Sequence, residues 1–135
     1  MDLSSTKPRV LLADDSERII QAVSNLLAEE FEVVGCVRDG AEAIKAVIRL
    51  RPDVIVMDIV MPKQDGIQAA RCLNQMNSPT KIVFLSGLED QEYVEASLAA
   101  GASGFVFKCR AARDLSLAIH EALAGRVFVS TRSRA

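Results

Sequence analysis

Val54-Ile-Val-Met57 is a run of four β-favouring apolar residues closed by one carboxylate, Asp58. A short apolar run without polar alternation suits a strand buried on both faces, as in a parallel sheet. Four comparable runs flank it: Val10-Leu-Leu-Ala13, Phe31-Glu-Val-Val34, Ile82-Val-Phe-Leu85 and Phe105-Val-Phe107. Amphipathic stretches separate them. Ile19, Val23, Leu26 and Leu27 mark the first, and Ala43, Ile44, Val47 and Ile48 the second. Ile67, Ala70, Leu73 and Met76 mark the third, Val94 and Leu98 a weaker fourth, and Leu115, Ile119, Ala122 and Leu123 the fifth. Asp39, with Glu42 three residues on, opens the second stretch like a capping box, and Gly125 stops the fifth. Five strand-helix units in alternation predict one doubly wound α/β domain, its parallel sheet covered by helices on both faces.

The chain has 135 residues, half of them hydrophobic and a quarter charged, which suits a single globular domain. A formal net charge of -2 argues against unaided binding to nucleic acid. Three cysteines, Cys36, Cys72 and Cys109, do not form a disulfide framework and read as small apolar filler. No segment approaches the ~20 apolar residues of a membrane span, and the start lacks a signal-peptide run, so a cytoplasmic location is expected. Residues 1–7 read as a polar lead, and residues 126–135 as a C-terminal tail or the start of a linker.

In open α/β sheets, sites form beyond the carboxyl ends of the strands. The first strand ends in Asp14 and Asp15, the third in Asp58, the fourth in Ser86 and Gly87, and the fifth in Lys108. All these groups therefore fall on one rim. Two like charges ~4 Å apart repel by ~4 kcal/mol at an effective dielectric near 20, so three carboxylates need help. A divalent cation among the acids is one remedy, and Lys108 beside one of them is another. Magnesium suits the oxygen ligands, and no Cys or His cluster points to zinc. Asp58 has a nucleophile's surroundings. Ser86 can donate to a phosphoryl oxygen and Lys108 can neutralise another, and carboxylates do form aspartyl-phosphate. Taken singly, an Asp-Asp pair is more often a turn or a helix cap, and a lysine after a strand is usually just exposed. The conjunction carries the weight.

Four segments also carry a family resemblance: Val10-Leu-Leu-Ala-Asp-Asp15, Asp58-Ile-Val-Met-Pro-Lys-Gln-Asp-Gly66, Leu85-Ser-Gly87 and Gly101-Ala-Ser-Gly-Phe-Val-Phe-Lys108. Together they resemble the signatures of bacterial response-regulator receiver domains, over residues 8–125. The resemblance implies a flavodoxin-like (βα)5 fold with strand order 2-1-3-4-5. It implies that Asp58 is the phosphoacceptor, served by Ser86 and Lys108. It implies Mg2+ (or Mn2+) held by Asp14, Asp15, Asp58 and the backbone carbonyl of Val60. Ser86 and Phe105 take the place of the family's conformational switch pair. The expected phosphodonor is a sensor histidine kinase, with homodimerisation on phosphorylation among the readouts.

Most receivers follow the lysine with a cis-proline, whereas Cys109 follows here. A cis bond before a non-proline residue costs ~2.5–4 kcal/mol. This departure, with the ending Ala118-Ile-His-Glu-Ala-Leu-Ala-Gly-Arg-Val-Phe-Val-Ser130, is most similar to the NarL/FixJ subfamily. That subfamily carries a LuxR-type helix-turn-helix, so DNA would be reached only through an output domain beyond these residues. Two rivals use related parts. A haloacid-dehalogenase-type phosphohydrolase needs an acid two residues after its nucleophile, where Val60 stands. A flavin module needs a Ser/Thr/Gly phosphate loop, where Asp14-Asp15-Ser16-Glu17 stands. A phosphorylated signalling switch, and not an enzyme, is the expectation.

Overall fold

Strand and helix alternate strictly along residues 6–131, the part of the chain that a computed structural model describes. The elements are β1 (Arg9–Ala13), α1 (Glu17–Leu27), β2 (Glu32–Val37), α2 (Gly40–Leu50), β3 (Val54–Met57) and α3 (Gly66–Gln75). They continue with β4 (Lys81–Ser86), α4 (Gln91–Ala99), β5 (Gly104–Phe107), a 3-10 turn (Lys108–Arg110), α5 (Ala111–Leu123) and β6 (Phe128–Val129). Every strand pairing is parallel, in the order β2-β1-β3-β4-β5-β6.

The expected order 2-1-3-4-5 is therefore present, extended by one short strand on the β5 edge. Residues 126–131, read from sequence as tail or linker, hold this addition. Phe128 donates to the Ser103 carbonyl at 3.1 Å, and Ser130 to the Phe105 carbonyl at 2.9 Å. The lead of residues 1–7 lies mostly outside the described residues, as do positions 132–135 of the tail.

Side-chain alternation along the strands sorts the core onto two faces. Leu11, Ala13, Ile55, Met57, Phe84 and Phe105 pack with α2, α3 and α4, while Val10, Leu12, Val54, Val56, Val83 and Val106 pack with α1 and α5. All four residues of β3 are buried, which explains their unbroken apolar run. Helix starts follow local chemistry. Ser16 accepts from the Ile19 amide, Asp39 from Glu42 and Asp65 from Gln68.

Two expectations shift. β2 starts at Glu32, because Phe31 is spent packing under α1 and α5, 5.0 Å from the His120 ring. Cys36 and Cys109 are exposed and Cys72 half-buried, so none is core filler. Among the described residues no peptide is cis, including Lys108–Cys109, and no helix is long and apolar enough to cross a membrane.

Candidate phosphoacceptor and metal site

The chain leaves β1 for β2 on one side of the sheet and returns to β3 on the other. This order reversal opens a crevice between the carboxyl ends of β1 and β3. Asp14 stands at the first of these ends and Asp58 at the second. Both are held by their backbones: the Asp14 amide donates to the Val37 carbonyl at 3.0 Å, and the Asp58 amide to Ala13 at 2.9 Å. The Asp58 Oδ1 accepts from the Ile59 amide at 2.8 Å, and the Asp14 Oδ1 from the Ser16 amide at 2.9 Å. Asp14 and Asp58 are buried, and Asp15 is exposed at the mouth. Each of the three acids offers an oxygen within 4.8 Å of the others.

Lys108 closes the rim from β5. Its ammonium lies 3.1 Å from Asp58 Oδ2 and 3.2 Å from Asp14 Oδ2. One cation thus serves two buried anions with a third beside them. The electrostatics follow. Burial pushes the Asp58 carboxyl up, and Asp14 pushes it further, against the pull of Lys108 and the Ile59 amide. Lys108 is lowered by burial, yet it ends raised because Asp58 and Asp14 both favour its charge. The two directions look opposed, since one favours a neutral acid and the other a charged base. They describe one imbalance: Lys108 gains from two carboxylates, while each carboxylate has only a share of one ammonium. The site is short of positive charge, and three clustered carboxylate oxygens are the donor set that a hard divalent cation takes.

The loop after Asp58 is pinned at two glycines. Gly66 donates to the Ile59 carbonyl at 2.7 Å, and a Cβ on it would stand 2.1 Å from the Asp58 carbonyl oxygen. Gly40 donates to the Gln64 carbonyl, and a Cβ there would also meet that oxygen at 2.1 Å. The backbone is left-handed at Lys63, φ 68°. Val60, two residues past Asp58, is 61% exposed on this loop.

Ser86 ends β4 fully buried, and its hydroxyl accepts from the Leu88 amide at 2.9 Å. It thereby caps its own loop. Phe105 lies inward, fully buried, with ring centroids 6.4 Å from Phe84 and 6.0 Å from Phe107.

The structure thus gathers Asp14, Asp15, Asp58 and Lys108 at one point, with Ser86 on the neighbouring strand end. Sequence reasoning passed over the close approach of Gly40 and Gly66. The Asp-Gly pairs at positions 39–40 and 65–66 were the available signal, since each puts a capping acid before a helix start.

The response regulator receiver domain model matches residues 10–120. This chain belongs to the response-regulator receiver family. Its relatives include NarL/LuxR-type regulators, along with receivers of chemotaxis proteins and methylesterases. The transcriptional regulatory protein DegU of Brevibacillus brevis is 36% identical over 94% of this chain and 55% of its own length. The chain therefore spans about half the length of that regulator. The signal receiver domain of the response regulator NarL from Mycobacterium tuberculosis superposes with a TM-score of 0.86 at 30% identity, covering 90% of this chain and 99% of that one. The isolated receiver domain of RcsB from Salmonella enterica, solved with the phosphomimetic BeF3-, gives 0.84 at 25% identity, covering 93% and 94%.

Proposed function

We propose that this chain is a phosphorylation switch in which Asp58 accepts a phosphoryl group from the phosphohistidine of a sensor kinase. The observation that carries this reading is the buried Asp58 carboxylate beside Lys108, within reach of two further acids. In the transfer, an Asp58 carboxylate oxygen bonds to phosphorus as the phosphorus–nitrogen bond breaks, and the electron pair stays on the imidazole nitrogen. Lys108 neutralises one phosphoryl oxygen. Ser86 exchanges its Leu88 amide for another, as hydroxyl donor. The loop pinned between Ile59 and Gly66 carries the Val60 backbone two residues past Asp58.

Asp14, Asp15, Asp58 and the Val60 carbonyl would hold Mg2+ (or Mn2+), which supplies the positive charge that the site lacks. An apolar, exposed Val60 where a phosphohydrolase keeps its second acid favours a switch over an enzyme.

Movement of Ser86 toward the phosphoryl group opens space behind it and favours the inward Phe105 ring that the fold already holds without stranding a polar atom, so the equilibrium it shifts is a small one. The surface of α4, β5 and α5 changes with it. Homodimerisation through that surface, or through α1 and α5, then aligns DNA-binding output domains on paired half-sites in the cytoplasm. The transcriptional role of DegU supports this output.

Acetyl phosphate with Mg2+, followed by intact-mass spectrometry, tests the acceptor step. One phosphoryl group is expected on the wild-type chain and none on Asp58→Asn; equal labelling of both would refute the assignment.

A further inference from the structure

The segment after α5 is tied to the turn that carries Lys108. In the β5–β6 ladder, Ser130 donates its amide to the Phe105 carbonyl. A continuing parallel ladder would then bring the Ser130 carbonyl to the Phe107 amide. The Ser130 hydroxyl takes that place instead, accepting from Phe107 at 3.2 Å. The same hydroxyl donates to Asp114 Oδ2 at 2.7 Å, and Arg110 Nε reaches that oxygen at 3.4 Å. Ser130 and Asp114 are 4% and 6% exposed, and β5 is buried throughout.

Phe107 and Arg110 bracket Lys108. One side of the Lys108–Arg110 turn is thus held through the Phe107 amide, the other through the Arg110 guanidinium, and both converge on Asp114 and Ser130. A buried polar cluster of this kind rigidifies what it joins when every member is satisfied.

We propose that Ser130 and Asp114 are positioning residues for Lys108, and that the docking of residues 126–130 on β5 is coupled to phosphorylation of Asp58. The proposal rests on the reading of Asp58 as phosphoacceptor. A phosphoryl group changes the charge and reach that the Lys108 ammonium must meet. The turn that carries it adjusts, and the clip at Ser130 is its C-terminal anchor. Coupling of this kind is reciprocal: if phosphorylation alters the clip, breaking the clip alters phosphorylation. The signal thereby reaches residues 126–130 directly, in addition to the helical surface.

The test uses the 135-residue chain in two measurements. Labelling by acetyl phosphate with Mg2+ is timed for wild type, Ser130→Ala and Ser130→Thr. The expected result is ~3- to 10-fold slower labelling in Ser130→Ala, the scale of one buried hydrogen bond, with recovery in Ser130→Thr. Amide hydrogen exchange at Phe107 and Ser130 is followed in the wild-type chain with and without BeF3- and Mg2+, which needs no variant to fold. A change of at least about threefold at these two amides, beyond any change at Val54 and Ile55 in the central strand, is expected. Equal exchange in both states would overturn the proposal, as would wild-type labelling rates in Ser130→Ala. A wild-type chain that neither labels nor responds to BeF3- would instead overturn the reading at Asp58, and this proposal with it.

Discussion

The Lys108 ammonium lies 3.1 Å from a carboxylate oxygen of Asp58, a residue fifty positions earlier in the chain. The contact joins the ends of β3 and β5, with the whole of β4 between them in the sheet. Without a metal it is the main compensation that the buried Asp58 charge receives, and it is shared with Asp14.

That sharing sets a pH dependence. Burial raises the Asp58 carboxyl above its ordinary 3.8. The folded chain therefore binds the proton more tightly than the unfolded chain does. Ionised Asp58 destabilises the fold at pH values above its folded pKa, and this cost vanishes below 3.8, where both states are protonated. Asp58→Asn is expected to be more stable than wild type at pH 7 in chelator, and Lys108 keeps Asp14 as partner. The gain should shrink as pH falls through the folded pKa. Denaturant midpoints at neutral and acid pH check this; an Asn variant less stable at pH 7 would contradict it.

Ser86→Ala should be felt twice. The fully buried hydroxyl is the acceptor for the Leu88 amide, so its loss costs about 1 kcal/mol of stability. It also removes the donor proposed for the phosphoryl oxygen, so labelling by acetyl phosphate should slow at equal Mg2+. A variant that loses stability but labels at the wild-type rate would take Ser86 out of the transfer step.

Glycine substitutions separate the loop's geometry from its chemistry. Gly66→Ala sets a Cβ 2.1 Å from the Asp58 carbonyl oxygen and 2.9 Å from Phe84 Cε1, and a backbone oxygen cannot swing aside. A loss of at least about 2 kcal/mol is expected. Gly87→Ala meets nothing within 4 Å and should stay within ~0.5 kcal/mol of wild type. Thermal or denaturant melts of the two variants distinguish them, and equal stability would mean the loop is not pinned at Gly66.

Asp15 should matter for metal and little for folding. It is exposed, whereas Asp14 and Asp58 are buried against Lys108. Asp15→Ala is expected to weaken Mg2+ binding while stability in chelator stays within ~0.5 kcal/mol of wild type. Mg2+ should raise the wild-type midpoint by mass action, and chelator should reverse it. Calorimetric titration reads the affinity directly, and an unchanged value in Asp15→Ala would place the cation elsewhere.

Much of this rim was legible in the sequence, for a physical reason. Asp14, Asp15, Asp58, Ser86 and Lys108 each stand at or just past the end of an apolar run, and a parallel sheet brings all such ends to one side. β6 was not legible. Val127-Phe128-Val129 is too short to read as a strand, and it forms only because β5 leaves an edge for it. The Ser130–Asp114 clip was hidden for the same reason, since its partners are sixteen residues apart and meet only through that edge. Phe31 misled the start of β2 because burial beneath α1 and α5 mimics strand membership in a local pattern.

The most direct test of the account is to map the modified residue. After acetyl phosphate and Mg2+, borohydride reduces an aspartyl-phosphate to homoserine, and tandem mass spectrometry of the digested chain locates it. The account predicts homoserine at position 58, dependent on Mg2+ and strongly diminished in Lys108→Ala. Homoserine at position 14 or 15, or labelling that ignores both Mg2+ and Lys108, would contradict it.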